Sequence, residues 1–149
     1  MLYVNATNDS LTFILKPLSG IISLVVDSGF SYSNDSGFYF ENLNITIDKS
    51  CSGINFWIIS FAAFSLLILK VCKSHFQKTI SIPLVLVATF VLTLIANTSR
   101  ILTSMFIAKQ TAFEYPWLHQ AEGVFIYLSL LMLVYTIVNR SLSKFNSYV

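Results

Sequence analysis

Charged side chains are scarce in this sequence: they make up only 11% of its 149 residues, whereas 55% of the residues are hydrophobic. Soluble domains carry about 25% charged residues, so this composition argues against an ordinary soluble domain and indicates a protein that lies in lipid. The net charge is only +2, which gives no basis for nucleic-acid binding. The length is typical of a single domain over residues 1–149.

Cysteine is also rare. The chain has two cysteines and no CxxC pair or Cys/His cluster with zinc spacing, so the sequence predicts neither a metal site nor a cofactor. No Lys or Arg precedes the first apolar stretch within residues 1–10, so no cleavable signal peptide is indicated. Internal repeats and low-complexity tracts are absent as well.

Long apolar stretches are the strongest signal that remains. A helix needs roughly 17–25 apolar residues to cross a bilayer core of about 30 Å. Helices are expected because lipid leaves no partner for unpaired backbone groups. Three stretches meet this length, and the predicted transmembrane helices are residues 54–72, 80–96 and 121–138.

Two further segments precede the first predicted span. Residues 11–26 are apolar but are interrupted by Lys16, Pro17 and Gly20, which favours an interfacial or re-entrant segment. In residues 30–47, aromatic and β-branched residues alternate with turn-forming ones, which predicts a small extracytoplasmic β-hairpin. The predicted fold class is therefore an all-α integral membrane protein with these two additions.

The distribution of basic residues predicts the orientation. Lys70, Lys73 and Lys78 lie between the first two spans, and Arg140 and Lys144 follow the third. The positive-inside rule places both regions in the cytoplasm. The predicted topology has the N-terminus outside and the C-terminus inside, in a multi-pass protein of the cytoplasmic membrane.

Three reactive residues then fall on the outer side. Cys51 immediately precedes the first span, Arg100 follows the second, and His119 stands at the mouth of the third. A cysteine attacks as the thiolate, which a nearby cation or helix N-terminus favours. Histidine can act as general base and acid, and the guanidinium fork suits an oxyanion or a carboxylate. The alternatives are that Cys51 is an inert interfacial cysteine, that Arg100 anchors to lipid headgroups, and that His119 is a polar cap on a helix end.

A disulfide between the two cysteines is excluded by distance. Cys51 and Cys72 are separated by 21 residues of predicted helix, which corresponds to about 30 Å. A disulfide requires Cα atoms within about 7 Å.

At these residues the sequence resembles the exosortase/archaeosortase family. Three short segments match the family's Cys-Ser-Gly, Asn-x-x-Arg and His-x-x-x-Gly motifs in the same order: Cys51-Ser52-Gly53, Asn97-Thr98-Ser99-Arg100 and His119-Gln120-Ala121-Glu122-Gly123. Any single motif is weak, but three in order on one membrane face are fairly specific.

The resemblance implies a membrane cysteine protease or transpeptidase. Its substrate would be a protein with a C-terminal sorting signal: a short motif, often Pro-Glu-Pro, followed by a transmembrane helix and a basic cluster. Cys51 would be the nucleophile, His119 the proton carrier and Arg100 the transition-state stabiliser. Ser52, Gly53 and Asn97 would support them.

The sequence departs from the family pattern in two ways. Many members have an acidic residue directly after the histidine, where this chain has Gln120; Glu122, one turn along the helix, could substitute for it. The resemblance covers about residues 11–140, whereas larger members carry additional N-terminal helices, which suggests a short subtype such as exosortase K or a truncated chain. The alternative function is a non-enzymatic helical subunit or assembly factor of a membrane complex.

Overall fold

The computed structural model describes the backbone of residues 7–72, 74–110 and 116–147, and the side chains within 7–72, 74–107 and 123–141. Four α-helices and one small sheet make up this part of the chain, in the order α1 (Thr12–Val26), β1 (Ser31–Ser33), β2 (Gly37–Phe40), β3 (Ile45–Ile47), α2 (Ile54–Val71), α3 (His75–Gln110) and α4 (Pro116–Ser147). The predicted class, a helical membrane protein with a small β element, is confirmed.

The three predicted spans lie in α2, α3 and α4. Each of these helices contains a stretch that is long and apolar enough to cross a membrane: Lys49–Val71, which includes the residues leading into α2, His75–Ile107 and Gly123–Ser141. Large apolar side chains on these helices point away from the protein, with Leu66, Phe125 and Met132 each about 70% exposed. A helix that is apolar on its outward face as well as its inner one is typical of a membrane span.

The end of the second span differs from the prediction. The polar stretch Asn97-Thr98-Ser99-Arg100 predicts a helix end, but α3 continues through it to Gln110. The Thr103 and Ser104 hydroxyls donate to the carbonyls of Ser99 and Arg100, at 2.8 and 2.9 Å. Hydroxyls that bond within the same helix need no other partner there. Arg100 therefore lies inside a helix rather than beyond its end.

Residues 11–26 form a continuous helix. With the 3-10 turn Asp9–Leu11 that precedes it, α1 gives a fourth segment long and apolar enough to span a membrane, so four helices qualify instead of three. Ile14, Leu18 and Ile22 are buried along one face, as expected for residues four apart in a helix. The interfacial placement of this segment stays a prediction.

The predicted hairpin is a three-stranded antiparallel sheet in the order β1-β2-β3. The strands are only three or four residues long, and the second connection is a 3-10 turn, Glu41–Leu43, that ends at Asn44 with φ 51°. The Tyr32 hydroxyl of β1 donates to the Asp9 carboxylate, and this acceptor raises the pKa of Tyr32.

Two hydrophobic clusters hold the helices and the sheet together. One cluster joins Phe38, Phe40 and Ile47 of the sheet to α1 and to α3. The other lies between α2 and α3, with α4 packed against it. Helices α2, α3 and α4 contact one another, and α1 contacts α3. Because α2 and α3 are joined by a short connection, the beginning of α2 lies at the same end of the bundle as the last turns of α3.

Candidate functional site

Cys51 lies in a short 3-10 turn, Lys49–Cys51, immediately before α2. The carboxylate of Asp48 caps this turn by accepting from the Ser50 backbone N–H at 3.0 Å and from the Ser50 hydroxyl at 2.6 Å. The Cys51 N–H donates to the Asp48 carbonyl at 2.9 Å. The thiol is free and half-buried, with its Sγ 3.8 Å from the Ser50 hydroxyl oxygen. Backbone hydrogen bonds and an Asx cap therefore fix the backbone of the turn that carries the thiol.

The sheet holds the same turn from its other side. Asn8 is only 7% exposed, and its Oδ1 accepts from the Lys49 backbone N–H at 2.9 Å. Its Nδ2 donates to the carbonyls of Asn34 and Asp35, which connect β1 and β2, at 3.1 and 3.3 Å. One side chain thus ties the cysteine turn to the sheet.

Gly53 connects the cysteine turn to α2 and packs directly against α3. Its φ is +64°, a conformation that glycine adopts without a steric cost. A Cβ at this position would lie 2.7 Å from Oδ1 and 2.8 Å from Cγ of Asn97, and would overlap its Nδ2. Only glycine therefore allows both the turn and this approach of the two helices.

Arg100 is packed against α4. A Cβ at Gly123 would lie 3.0 Å from the Cδ of Arg100, so the absence of a side chain there lets the arginine stem lie along the helix. The Arg100 guanidinium carbon is 5.8 Å from the centroid of the Tyr127 ring, within the range of a cation–π contact. The Nε of Arg100 is buried, and it has no hydrogen-bond partner in the part of the chain that the structure describes.

These residues surround one cavity of about 350 Å³ between α2, α3 and α4. Its polar lining consists of three neighbours of Cys51, the arginine and one tyrosine: Ser50, Ser52, Gly53, Arg100 and Tyr127. Its apolar lining comes from α2 and α4 and includes Ile59, Leu128 and Leu131. Arg100 lines the cavity itself, and Cys51 lies between two lining residues, Ser50 and Ser52. The arrangement combines a thiol, a fixed positive charge and a partly open cavity next to them.

Five of the predicted site residues meet around this cavity or directly behind it: Cys51, Ser52, Gly53, Asn97 and Arg100. The backbone of His119 lies in α4, one helical turn before Gly123. The side chains of His119 and Glu122 lie outside the described residues.

Tyr127 belongs to the cavity but is missing from the sequence-based set. Its hydroxyl donates to the Oδ1 of Asn97, and its ring stacks on Phe56 with centroids 4.6 Å apart and planes at 17°. The available signal was its spacing: Tyr127 follows Gly123 by four residues, and residues four apart share one face of a helix.

The second cysteine lies at the opposite end of α2 and is also free. The Cys72 Sγ is 4.0 Å from the Ser81 hydroxyl oxygen near the start of α3. The two thiols thus lie at opposite ends of α2 and are not joined in a disulfide. Among the described residues, no group of three or more His, Cys, Asp or Glu is arranged to hold a metal ion.

Comparison with known protein families assigns the chain. The family model for the transmembrane exosortases (Exosortase_EpsH) matches residues 14–136, a range that contains all four helices in whole or in part and the positions of Cys51, Arg100 and His119. No curated protein and no solved structure matches the chain. Because the family match covers most of the sequence, the chain belongs to the transmembrane exosortase family.

Proposed function

We propose that this protein is a membrane-embedded cysteine protease or transpeptidase that cleaves a C-terminal sorting signal. The observation that supports it best is the cavity, which the residues around Cys51 line together with Arg100. The family membership supports the same chemistry. The active site would face the outside of the cytoplasmic membrane, because Lys70, Lys73 and Lys78 lie at the other end of the spans, as do Arg140 and Lys144.

In the proposed reaction, the Cys51 thiolate attacks the carbonyl carbon of the scissile peptide bond. The negative charge that develops on the carbonyl oxygen is stabilised by the Arg100 guanidinium, which carries a fixed charge and several donors. His119 protonates the leaving amine as the C–N bond breaks. The acyl group then remains on the cysteine as a thioester, which water or an acceptor nucleophile resolves.

The shape of the cavity supports a substrate that is itself embedded in lipid. Its apolar side extends along α2 and α4 through Ile59, Leu128 and Leu131, and the first two of these side chains are more than half exposed. A peptide that leaves the polar end and enters the bilayer as a helix would pass along this wall. Such a sequence of a short motif, an apolar helix and a basic tail is the sorting signal proposed here.

The test is processing of a co-expressed reporter that ends in a Pro-Glu-Pro motif, a transmembrane helix and a basic tail. Cys51→Ala is expected to abolish cleavage, because it removes the nucleophile while changing little buried area. Cys72→Ala is the matched control, with the same substitution at the other end of α2, and should cleave at a rate near that of the wild type. Cleavage that survives Cys51→Ala would favour a non-enzymatic role in a membrane complex instead.

A further inference from the structure

Tyr127 contacts both helices next to the proposed site, α2, which follows Cys51, and α3, which carries Arg100. Its ring stacks on Phe56 of α2 and lies beneath the guanidinium of Arg100. Its hydroxyl reaches α3, where it donates to the Oδ1 of Asn97. One side chain of α4 therefore contacts the helix that follows the nucleophile as well as the helix that carries the arginine.

The hydrogen bond fixes the orientation of a buried amide. Asn97 is 0% exposed, so water cannot replace a lost partner of its side chain. With Oδ1 directed to Tyr127, Nδ2 lies against Gly53, and it has no hydrogen-bond partner among the described residues. A buried amide held by one hydrogen bond depends strongly on that bond.

Asn97 in turn forms the wall behind the cysteine turn. The position that a Gly53 Cβ would take is already filled by the Asn97 amide, so the amide contacts the backbone two residues after Cys51. Rotation of the amide would change the surface on which this turn rests.

We propose that Tyr127 is a positioning residue of the exosortase site, and that its hydroxyl acts through Asn97 to hold the turn that carries Cys51. The inference rests on the proposed function, in which Cys51 is the nucleophile. The Tyr127 ring holds Arg100 independently of the hydroxyl, so the two contributions can be separated by substitution.

Tyr127→Phe removes the hydroxyl and keeps the ring. The experiment measures the second-order rate of Cys51 alkylation by iodoacetamide at pH 7, with the full chain in detergent and Cys72→Ala present so that one thiol remains. A neutral hydrogen bond contributes about 0.5–1.5 kcal/mol, a factor of roughly 2–12. Tyr127→Phe should slow alkylation by this factor. Tyr135→Phe is the matched control, because Tyr135 lies two turns further along α4 and packs on Phe64 at 6.2 Å; it should leave the rate unchanged.

A double-mutant cycle tests whether the hydroxyl acts through Asn97. Asn97→Leu removes the amide and should also slow alkylation. The double variant Tyr127→Phe/Asn97→Leu should be no slower than Asn97→Leu alone, because the hydroxyl has then lost the group through which it acts. If the hydroxyl contributed independently of Asn97, the double variant would be slower than Asn97→Leu by the same factor that Tyr127→Phe shows alone. Thermal unfolding of each variant shows whether the rates refer to folded protein.

Two results would overturn the proposal: a Tyr127→Phe rate equal to that of its parent, or factors that multiply in the double variant. Failure of the proposed function has a different signature. If the parent reacts no faster than glutathione and Arg100→Gln, which removes the positive charge, has no effect on the rate, Cys51 is not an activated nucleophile. The ratio between Tyr127→Phe and its parent would then still show whether the hydroxyl holds the turn, but not that it positions a nucleophile.

Discussion

Arg100 is held along its whole length by contacts with α4. The stem passes Gly123, and the guanidinium lies over the ring of Tyr127 at the edge of the cavity. A headgroup anchor would extend its charge into the interface, whereas this half-buried side chain lies against α4 and lines the cavity next to the cysteine turn. These contacts favour a directed role for the guanidinium over a general electrostatic one.

Arg100→Lys separates these two roles because it keeps the charge and removes the planar fork. If the guanidinium stabilises the oxyanion, reporter cleavage should fall by about 10²–10³, the range seen when an oxyanion donor is removed. Arg140→Lys, the same substitution near the other end of α4, is the control and should cleave at the wild-type rate. Equal cleavage by both variants would assign Arg100 a point-charge or anchoring role.

Gly53 is the second residue on which the geometry depends. Gly53→Ala should destabilise the protein by roughly 2–5 kcal/mol, the sum of a positive φ for a residue with a Cβ and overpacking against Asn97. Gly20→Ala is the control, because a Cβ at Gly20 in α1 meets no atom within 4 Å; it should stabilise by roughly 0.5–1 kcal/mol. Thermal unfolding followed by circular dichroism compares them, and similar midpoints would contradict the close contact between Gly53 and Asn97.

The sequence predicted Cys51 and Arg100 as site residues, but neither the Gly53–Asn97 contact nor the role of Tyr127. Motif spacing and charge distribution were enough to single out Cys51 and Arg100, since both depend only on where apolar stretches begin and end. The dependence of Gly53 on Asn97 is a contact between two helices and leaves no signal in either segment alone. Tyr127 carried only the weak signal of its four-residue spacing from Gly123, and an aromatic residue in an apolar span is otherwise expected to face lipid.

At the scale of secondary-structure elements, hydropathy located the helices but not their ends. Polar residues at Asn97–Arg100 predicted a helix end because hydropathy does not register an amide that is buried between helices and hydrogen-bonded there, as Asn97 is to Tyr127. The third strand was missed because a three-residue strand carries too few positions to show alternation. Both elements matter for the site: α3 carries Arg100, and the sheet supports the cysteine turn.

The sheet acts on the site through Asn8. Asn8→Ala removes the acceptor for the Lys49 N–H, so hydrogen exchange at this amide should become faster, by about tenfold for each 1.4 kcal/mol lost. Asn8→Asp is the comparison variant: its carboxylate keeps the acceptor for the Lys49 N–H, loses the donor and faces the Asn34 and Asp35 carbonyls with a negative charge. Exchange measured at residue resolution should show Lys49 protected in Asn8→Asp. Unchanged exchange in Asn8→Ala would mean that other contacts hold the turn.

At the scale of the whole molecule, the two ends of the bundle differ in chemistry. One end carries the sheet, the cysteine turn and the cavity. The other carries Cys72, the connection between α2 and α3 with its lysines, and the later part of α4 with Arg140. Five of the nine basic residues lie at this second end, three of them at or beside the short connection between α2 and α3. By the positive-inside rule, the orientation that we propose places this end in the cytoplasm and the cavity outside.

The two free thiols make this orientation testable, because α2 separates them. A helix of this length spans most of the hydrocarbon core at about 1.5 Å per residue, so a reagent that cannot cross the membrane reaches only one of the two ends. In intact cells, a membrane-impermeant maleimide should label wild type and Cys72→Ala but not Cys51→Ala. Permeabilised cells should then show labelling of Cys51→Ala as well, which controls for the accessibility of Cys72. Labelling of Cys51→Ala but not Cys72→Ala in intact cells would reverse the orientation and place the cavity in the cytoplasm, where a sorting signal that is cleaved at the outer surface could not reach it.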